Sequence, residues 1–283
     1  MYQIVHKKIL NPAVTLMVVS APDIARKTEP GQFIILRVSD EGERIPLTIA
    51  DFDRGQGTVT IIFQIVGKTT RMLGDLAEGD AITDFVGPLG VASHLEHYRK
   101  VAVIGGGLGA AIAWPQAKKL HHLGSEVDMI VGFRNKDLII LEDEMQAACN
   151  RLFIATDDGS NGRKGFVTDV LRELIEAGNV YDLVIAIGPL IMMKMVSNLT
   201  RPYGIKTLVS MNPVMVDGTG MCGGCRVTVG GVTRFACVDG PDFDGHLVDF
   251  DEAMRRQQMY KKDEKSVYEA HLCRLTGEEP IHA

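Results

Sequence analysis

The sequence contains no run of about 18 consecutive apolar residues, the minimum for a membrane-spanning helix, so no membrane partner is expected. It also lacks a basic excess. The 30 Lys and Arg stand against 36 Asp and Glu, a formal net charge of −6, which leaves no basic stripe to grip a nucleic acid. The opening Met1-Tyr2-Gln3-Ile4-Val5-His6-Lys7 has neither the charged-then-apolar layout nor the cleavage site of a signal peptide. Cysteines are few and odd in number: five, three of them between positions 222 and 237. That usage argues against a secreted disulfide framework and for a metal site in a reducing compartment, so the expected location is cytoplasmic. Internal repeats and low-complexity tracts are absent, as is any convincing nucleophile–base pair. The eight histidines show no ligand spacing. No residue is therefore assigned acid–base or nucleophilic catalysis, and Cys149 and Cys273 are read as spectators.

What is present falls into three stretches. A chain of 283 residues, 46% hydrophobic and 23% charged, is ordinary globular material and long for one compact core. Residues 1–97 read as short strands, notably Val14–Ser20, Phe33–Val38, Thr58–Val66 and Asp80–Val86. Turn-formers such as Glu29-Pro30-Gly31 and Gly87-Pro88-Leu89-Gly90 separate them, and Thr69–Leu76 interrupts as a short helix. This spacing predicts a small antiparallel barrel or sandwich.

From 98 to 210 the pattern changes to apolar runs that alternate with helical segments. Val101–Ile104 leads to Ala110–Leu123, Asp128–Gly132 to Leu141–Cys149, and Leu152–Thr156 to Phe166–Ala177. Leu183–Ile187 leads to Leu190–Leu199, and Lys206–Val209 closes the series. Such alternation predicts a doubly wound parallel sheet of the α/β class. Residues 211–283 are rich in Gly and Cys, then charged and helical over Asp251–Leu275. They hold too little apolar periodicity for a large core of their own. The expectation is a cofactor loop followed by a tail that packs on the body or on a partner.

Three motifs carry chemistry. The first is Asp217-x4-Cys222-x2-Cys225-x11-Cys237, with Gly218, Gly220, Gly223 and Gly224 among the ligand candidates. A plant-type [2Fe–2S] loop uses Cys-x4-Cys-x2-Cys and a distant fourth Cys, and glycines let the backbone approach the cluster. Asp217 stands at the first ligand position; on spacing alone, an Asp before a Gly is also a common turn residue. Zinc accepts three cysteines and a carboxylate too, but its structural sites usually show paired Cys-x2-Cys knuckles. The second motif is Gly105-Gly106-Gly107-Leu108-Gly109-Ala110 after the buried run Val101–Ile104. Glycines between a strand and a helix give a tight turn and leave the helix N-terminus for a pyrophosphate, although such turns also arise from packing. The third is Arg44-Ile45-Pro46-Leu47-Thr48 with Gly67-Lys68-Thr69-Thr70 about twenty residues on. A cation near hydroxyl and backbone donors suits a diphosphate or flavin. A surface Arg and a turn would look the same.

Taken in this order, the motifs resemble the ferredoxin–NADP reductase superfamily, and within it the branch of dihydroorotate dehydrogenase B electron-transfer subunits. Small subunits of electron-bifurcating NADH-dependent reduced ferredoxin:NADP oxidoreductases resemble the chain most closely. The resemblance covers essentially the whole sequence. It implies an N-terminal FAD-binding barrel, a nucleotide-binding α/β domain and a C-terminal [2Fe–2S] module. The flavin motif of this group, R-P-[IL]-[ST] followed by V-G-x-G-T, is matched by Pro46-Leu47-Thr48 and Val66-Gly67-Lys68-Thr69-Thr70. Ile45 stands where its Arg falls, and Thr69 replaces the second Gly.

The resemblance implies flavin contacts from Arg44, Pro46, Leu47, Thr48, Phe63, Gln64, Val66, Gly67, Thr69 and Thr70. It implies nicotinamide-nucleotide contacts from Gly105, Gly106, Gly107, Leu108, Gly109, Arg134, Asp157, Asp158, Gly188 and Pro189. It makes Asp217, Cys222, Cys225 and Cys237 the cluster ligands. The dihydroorotate branch uses four cysteines, whereas the bifurcating small subunits resemble this chain in pairing one Asp with three. The implied function is electron transfer between NAD(H), FAD and the cluster, in complex with a larger flavoprotein with further iron–sulfur clusters that handles NADP(H) and ferredoxin. A dihydroorotate dehydrogenase electron-transfer subunit and a non-catalytic relay subunit are the alternatives. Asp157 and Asp158 oppose the 2′-phosphate of NADP(H) if they lie near the ribose; Arg134 and the Arg163-Lys164 pair keep NADP(H) open.

Overall fold

The computed structural model describes residues 1–40 and 42–276. Its first stretch holds β1 (Tyr2–Asn11), β2 (Val14–Ser20), α1 (Pro22–Ala25), β3 (Phe33–Arg37), β4 (Ile45–Asp53), β5 (Thr58–Gln64), α2 (Lys68–Asp75), β6 (Ala81–Ile82) and β7 (Asp84–Leu89). Their strands form one antiparallel sheet in the order β6-β1-β2-β5-β4-β3-β7. The two edges of that sheet are neighbours in sequence. Only Thr83 lies between β6 and β7, so the chain itself ties the edges together and the sheet curls into a barrel. Met17, Val19, Ile34, Leu36, Ile61 and Phe63 point inward and fill it. The run Asp80–Val86 is thus two strands, because a closing corner has to pair with β1 on one side and β3 on the other.

The second stretch holds β8 (Lys100–Gly106), α3 (Gly109–His122), β9 (Glu126–Phe133), α4 (Glu142–Ala147), β10 (Arg151–Thr156), α5 (Val167–Glu176), β11 (Leu183–Ile187), α6 (Leu190–Thr200) and β12 (Lys206–Ser210). The C-terminal stretch adds the hairpin β13 (Arg226–Val229) and β14 (Val232–Phe235), then β15 (Asp242–Asp244), α7 (Phe250–Gln257) and α8 (Lys261–Thr276). The second sheet runs β10-β9-β8-β11-β12-β15. Its first five strands are parallel, but β15 pairs antiparallel with β12 through Ser210 and Asp242. The parallel sheet expected between 98 and 210 is thus present, and the C-terminal stretch adds an antiparallel edge strand to it. A three-residue edge strand is too short for periodicity to reveal, and it exists only because β12 offers it an unpaired edge.

The barrel and the sheet share a core. Val14, Ala50 and Ile62 on the outer barrel face pack with Ala110, Ala113 and Ala117 of α3, and Lys118 Nζ lies 3.0 Å from Asp51 Oδ2 at the rim. The charged tail packs on its own body. Helix α7 lies on α6 and β13, with Lys194 Nζ 2.7 Å from Asp251 Oδ1, and α8 touches α2.

A buried carboxylate fastens the N-terminal ends of the parallel strands. Asp128 is 0% exposed and accepts from Arg151 Nε at 2.7 Å, Arg151 Nη2 at 2.5 Å and Tyr181 Oη at 2.7 Å, with Lys100 Nζ 3.6 Å away. Burial pushes its carboxyl up, but the hydrogen bonds from Arg151 and Tyr181 and the two cationic charges outweigh that and hold it below the usual range. Because the folded chain prefers the ionised form, this contribution is present above the unfolded pKa and is lost as pH falls through the lower folded value. Asp128→Ala is expected to cost about 1–3 kcal/mol at neutral pH by leaving the buried Tyr181 hydroxyl without its acceptor, the exposed Arg151 being free to take up water. The gap from the unsubstituted chain should narrow in acid, as read by urea unfolding at several pH values.

Candidate functional site

The parallel strands run 3-2-1-4-5 when numbered from β8, so the order reverses between β8 and β11, where open α/β sheets bind ligands at the carboxyl ends. The Gly105–Gly109 turn ends β8 at that point, and Gly188-Pro189 ends β11 beside it: a Cβ on Gly188 would lie 3.1 Å from Gly106 Cα. The glycines do different work. A Cβ on Gly105 would meet Ala110 Cα at 2.5 Å, and one on Gly109 would meet Ile187 O at 2.2 Å, so both allow close helix–strand packing. Gly107 has φ +55° and faces open space, as a backbone that receives a ligand must. Arg134, Asp157 and Asp158 follow β9 and β10 and are exposed. Backbone bonds from Asp157 N to Phe133 O at 3.0 Å and from Asp158 N to Arg134 O at 3.3 Å knit the two loops together. The Ser160 hydroxyl and amide hold the Asp158 carboxyl below its ordinary range.

On the barrel, Pro46, Leu47 and Thr48 lie on β4 opposite Ile35, Ile34 and Phe33 of β3, and the exposed Arg44 precedes them. The Thr69 hydroxyl donates to Glu43 Oε2 at 3.3 Å, which brings the two halves of the third motif together across some twenty residues. Thr70 Oγ1 accepts from the amides of Val66 and Gly67 at 3.0 Å each and so shapes the N-terminus of α2. Space beside Gly67 is open. The arrangement fits a diphosphate held at a helix N-terminus. The Phe63 side chain is fully buried inside the barrel, since the alternation of β5 puts Ile61 and Phe63 on the inner face. Gln64 and Val66 are exposed.

The cysteine loop arranges its four candidate ligands as two pairs. Cys225 and Cys237 are buried, with their sulfurs 3.2 Å apart. Asp217 accepts from the amides of Thr219 at 2.9 Å and Cys222 at 2.7 Å, and these bonds hold its carboxyl below the ordinary range. Cys222 is exposed. Among the described residues no three His, Cys, Asp or Glu side chains converge on one point, as a mononuclear site demands. Three thiols and a carboxylate carried by one glycine-rich loop are a donor set that fits a plant-type [2Fe–2S] cluster. Gly218 and Gly220 have φ of +73° and +83°, and a Cβ on Gly218 would lie 2.8 Å from Ile35 Cδ1 and 2.7 Å from Leu89 Cδ1. The loop therefore sits against the outer face of β3, whose opposite neighbour is β4.

The comparisons with known proteins follow the same three parts. Residues 212–249 match the family model of the iron–sulfur cluster binding domain of dihydroorotate dehydrogenase B. The chain is 45% identical over 254 residues to a dihydroorotate dehydrogenase B (NAD(+)) electron transfer subunit homolog of Thermotoga maritima, covering 90% of this chain and 89% of that one. The chain belongs to this electron-transfer-subunit family. An uncharacterized protein in the adh 3′ region of Clostridium beijerinckii is 54% identical over 272 residues, 93% of this chain and 92% of the relative. Among solved structures, a chain of the NADH-dependent reduced ferredoxin–NADP oxidoreductase, studied for flavin-based electron bifurcation, superposes with a TM-score of 0.91 at 43% identity. The match covers 96% of this chain and 98% of that one. A ferredoxin NADP+ reductase from Neisseria gonorrhoeae, at 13% identity and a TM-score of 0.57 over 72% of this chain and 90% of that one, shares the fold. The family is that of flavin and iron–sulfur oxidoreductase subunits, and electron transfer is its work.

Two features of the junction have no motif. Phe33 and Ile35 bring β3 into one core with Cys225 and Cys237. Ser93 Oγ donates to Asp242 Oδ2 at 2.5 Å, joining the segment after the barrel to β15, where burial pushes the Asp242 carboxyl up. In sequence Asp242 follows Gly240-Pro241 and reads as a turn. Gly109→Ala is expected to abolish nucleotide binding and lower the melting temperature, because the added Cβ would lie 2.2 Å from Ile187 O, a strand backbone atom that cannot move aside. Gly107→Ala should fold with a loss of about 1–2 kcal/mol from its left-handed backbone. Thermal melts and NADH titrations distinguish the two.

Proposed function

We propose that the chain is the small subunit of an electron-bifurcating ferredoxin:NAD(P) transhydrogenase, with FAD on the barrel, NAD(H) at the β8/β11 switch point and a [2Fe–2S] cluster in the C-terminal loop. The observation that carries this reading is the single loop that presents Asp217 with three cysteines against β3, next to the flavin strand. Bound FAD supplies the conversion between a two-electron hydride donor and a one-electron centre. The protein positions the parts. Arg44, Thr48 and the N-terminus of α2 hold the flavin diphosphate and ring, and Gly107 with Gly188 and Pro189 orients the nicotinamide nucleotide. Asp217, Cys222, Cys225 and Cys237 would hold the cluster. Cytoplasmic location follows from thiols that have to stay reduced.

The partner is a larger flavoprotein with further iron–sulfur clusters that handles NADP(H) and ferredoxin. The exposed edge of the loop supports this, because Met221 is 88% exposed beside the exposed Cys222, with Val214, Val216 and Val238 also open to solvent. Large apolar side chains around a redox centre suit a docking face. The second reading, a dihydroorotate dehydrogenase B electron-transfer subunit, is favoured by relatives of that name at 32–35% identity, for example in Streptococcus pneumoniae and Fusobacterium nucleatum. Purification with the native partner decides between them: a flavoprotein that reduces ferredoxin supports the first, a dihydroorotate-oxidising subunit the second. Either preparation should carry about one flavin and about two irons on this chain. Stoichiometric zinc with negligible iron would overturn the cluster.

Two further outcomes are expected. NADH should bind at least about tenfold tighter than NADPH, about 1.4 kcal/mol, with Asp158→Asn narrowing the gap in a fluorescence titration. Tighter binding of NADPH would reverse the assignment. Asp217→Cys should still assemble a [2Fe–2S] cluster while shifting its potential and EPR g-values, because a thiolate is a softer ligand than a carboxylate. Unchanged values would remove Asp217 from the ligand set.

A further inference from the structure

Helix α7 reaches the cysteine loop through one side chain. Arg256 Nη2 donates to the carbonyl of Gly224 at 3.2 Å. Gly224 stands between Cys222 and Cys225, and its own amide donates to Cys222 Sγ at 3.5 Å, so this residue is held from both sides. The start of the helix is anchored independently. Asp249 Oδ1 accepts from the Glu252 amide at 2.8 Å, the Asp249 amide donates to Thr228 O at 2.9 Å, and Lys194 takes Asp251 at 2.7 Å. The helix that carries Arg256 is thus held on β13 and α6 independently of the loop its guanidinium touches.

We propose that Arg256 is a positioning residue of the iron–sulfur site, which orients the Gly224–Cys225 peptide and stabilises the reduced cluster by its charge. This rests on the cluster reading above. A peptide unit is planar and trans, so its C=O and N–H point opposite ways. With the Gly224 carbonyl turned toward α7, the Cys225 amide faces away from that helix. Cluster potentials respond to net charge and to hydrogen bonds on the sulfurs. Reduction adds one negative charge, and a nearby cation that does not titrate favours the more negative form, which raises the potential. The arginine also gives the tail a role within its own chain.

The test uses the full chain, reconstituted anaerobically, as Arg256→Gln, Arg256→Lys and the control Arg255→Gln, an exposed neighbour on the same helix. Iron and sulfide content, thermal melts and EPR-monitored redox titrations are measured on each. Arg256→Gln is expected to lower the midpoint potential at a normal melting temperature. Arg256→Lys, which keeps the charge and loses the fork, should fall between, and Arg255→Gln should leave the potential in place. Loss of the cluster from Arg256→Gln but not from Arg256→Lys also supports the assignment. Full iron with an unmoved potential and spectrum in Arg256→Gln overturns it, as does an equal shift from Arg255→Gln or loss of the cluster from both Arg256 variants. Absence of iron from the unsubstituted chain would instead overturn the cluster reading, and the assignment with it.

Discussion

Strand β3 has no face open to water, and the rest of the molecule is arranged around that fact. Ile34 and Leu36 enter the barrel core, while Phe33 and Ile35 leave it and pack with Cys225 and Cys237. One strand therefore divides the barrel interior from the cysteine loop. Each large apolar side chain fully buried this way contributes about 1.5–3 kcal/mol, so both sides hold the strand in register. Exposing Phe33 and Ile35 would place a contiguous apolar face in water.

That shared wall has a consequence for electron transfer. Gly218 lies against Ile35 and Leu89, and Ile35 pairs with Pro46 on the proposed flavin strand. The loop and the flavin strand are separated by one strand and its side chains, with no mobile linker between them. At the other boundary, Val14, Ala50 and Ile62 dock the barrel on α3, the helix that leaves the glycine turn. The glycine turn, the proposed flavin strand and the cysteine loop are thus positioned by side-chain packing on rigid elements, which suits a relay whose centres have to keep fixed separations.

The C-terminal stretch is bound into this frame from several directions. Its β15 adds an antiparallel edge to the second sheet, Asp242 meets Ser93, and α7 is tied to α6 by Lys194 and to the loop by Arg256. Polar composition left open whether α7 and α8 pack on the body or on a partner, since few of their residues are apolar. Yet Phe250 is buried, and partly buried Ala253 and Met254 join the same core as the cysteines. A helix needs only a narrow apolar stripe to dock.

The sequence by itself determined the five parallel strands, the barrel strands with clean alternation, the glycine turn and the cysteine loop. Each of these depends on local spacing: strands buried on both faces must be continuously apolar, and a loop that wraps a cluster must carry its ligands and glycines close together. Tertiary structure alone decided the rest. Strand β1, largely exposed, and β15, three residues long, pair because an edge is available, and no periodicity within them says so. Phe63 lies inside the barrel because the pleat of β5 in the closed sheet sets its face. Ile35, Ser93 and Arg256 carry no signature because their roles depend on partners 32 or more residues away in sequence, brought together only when the three parts close on one another.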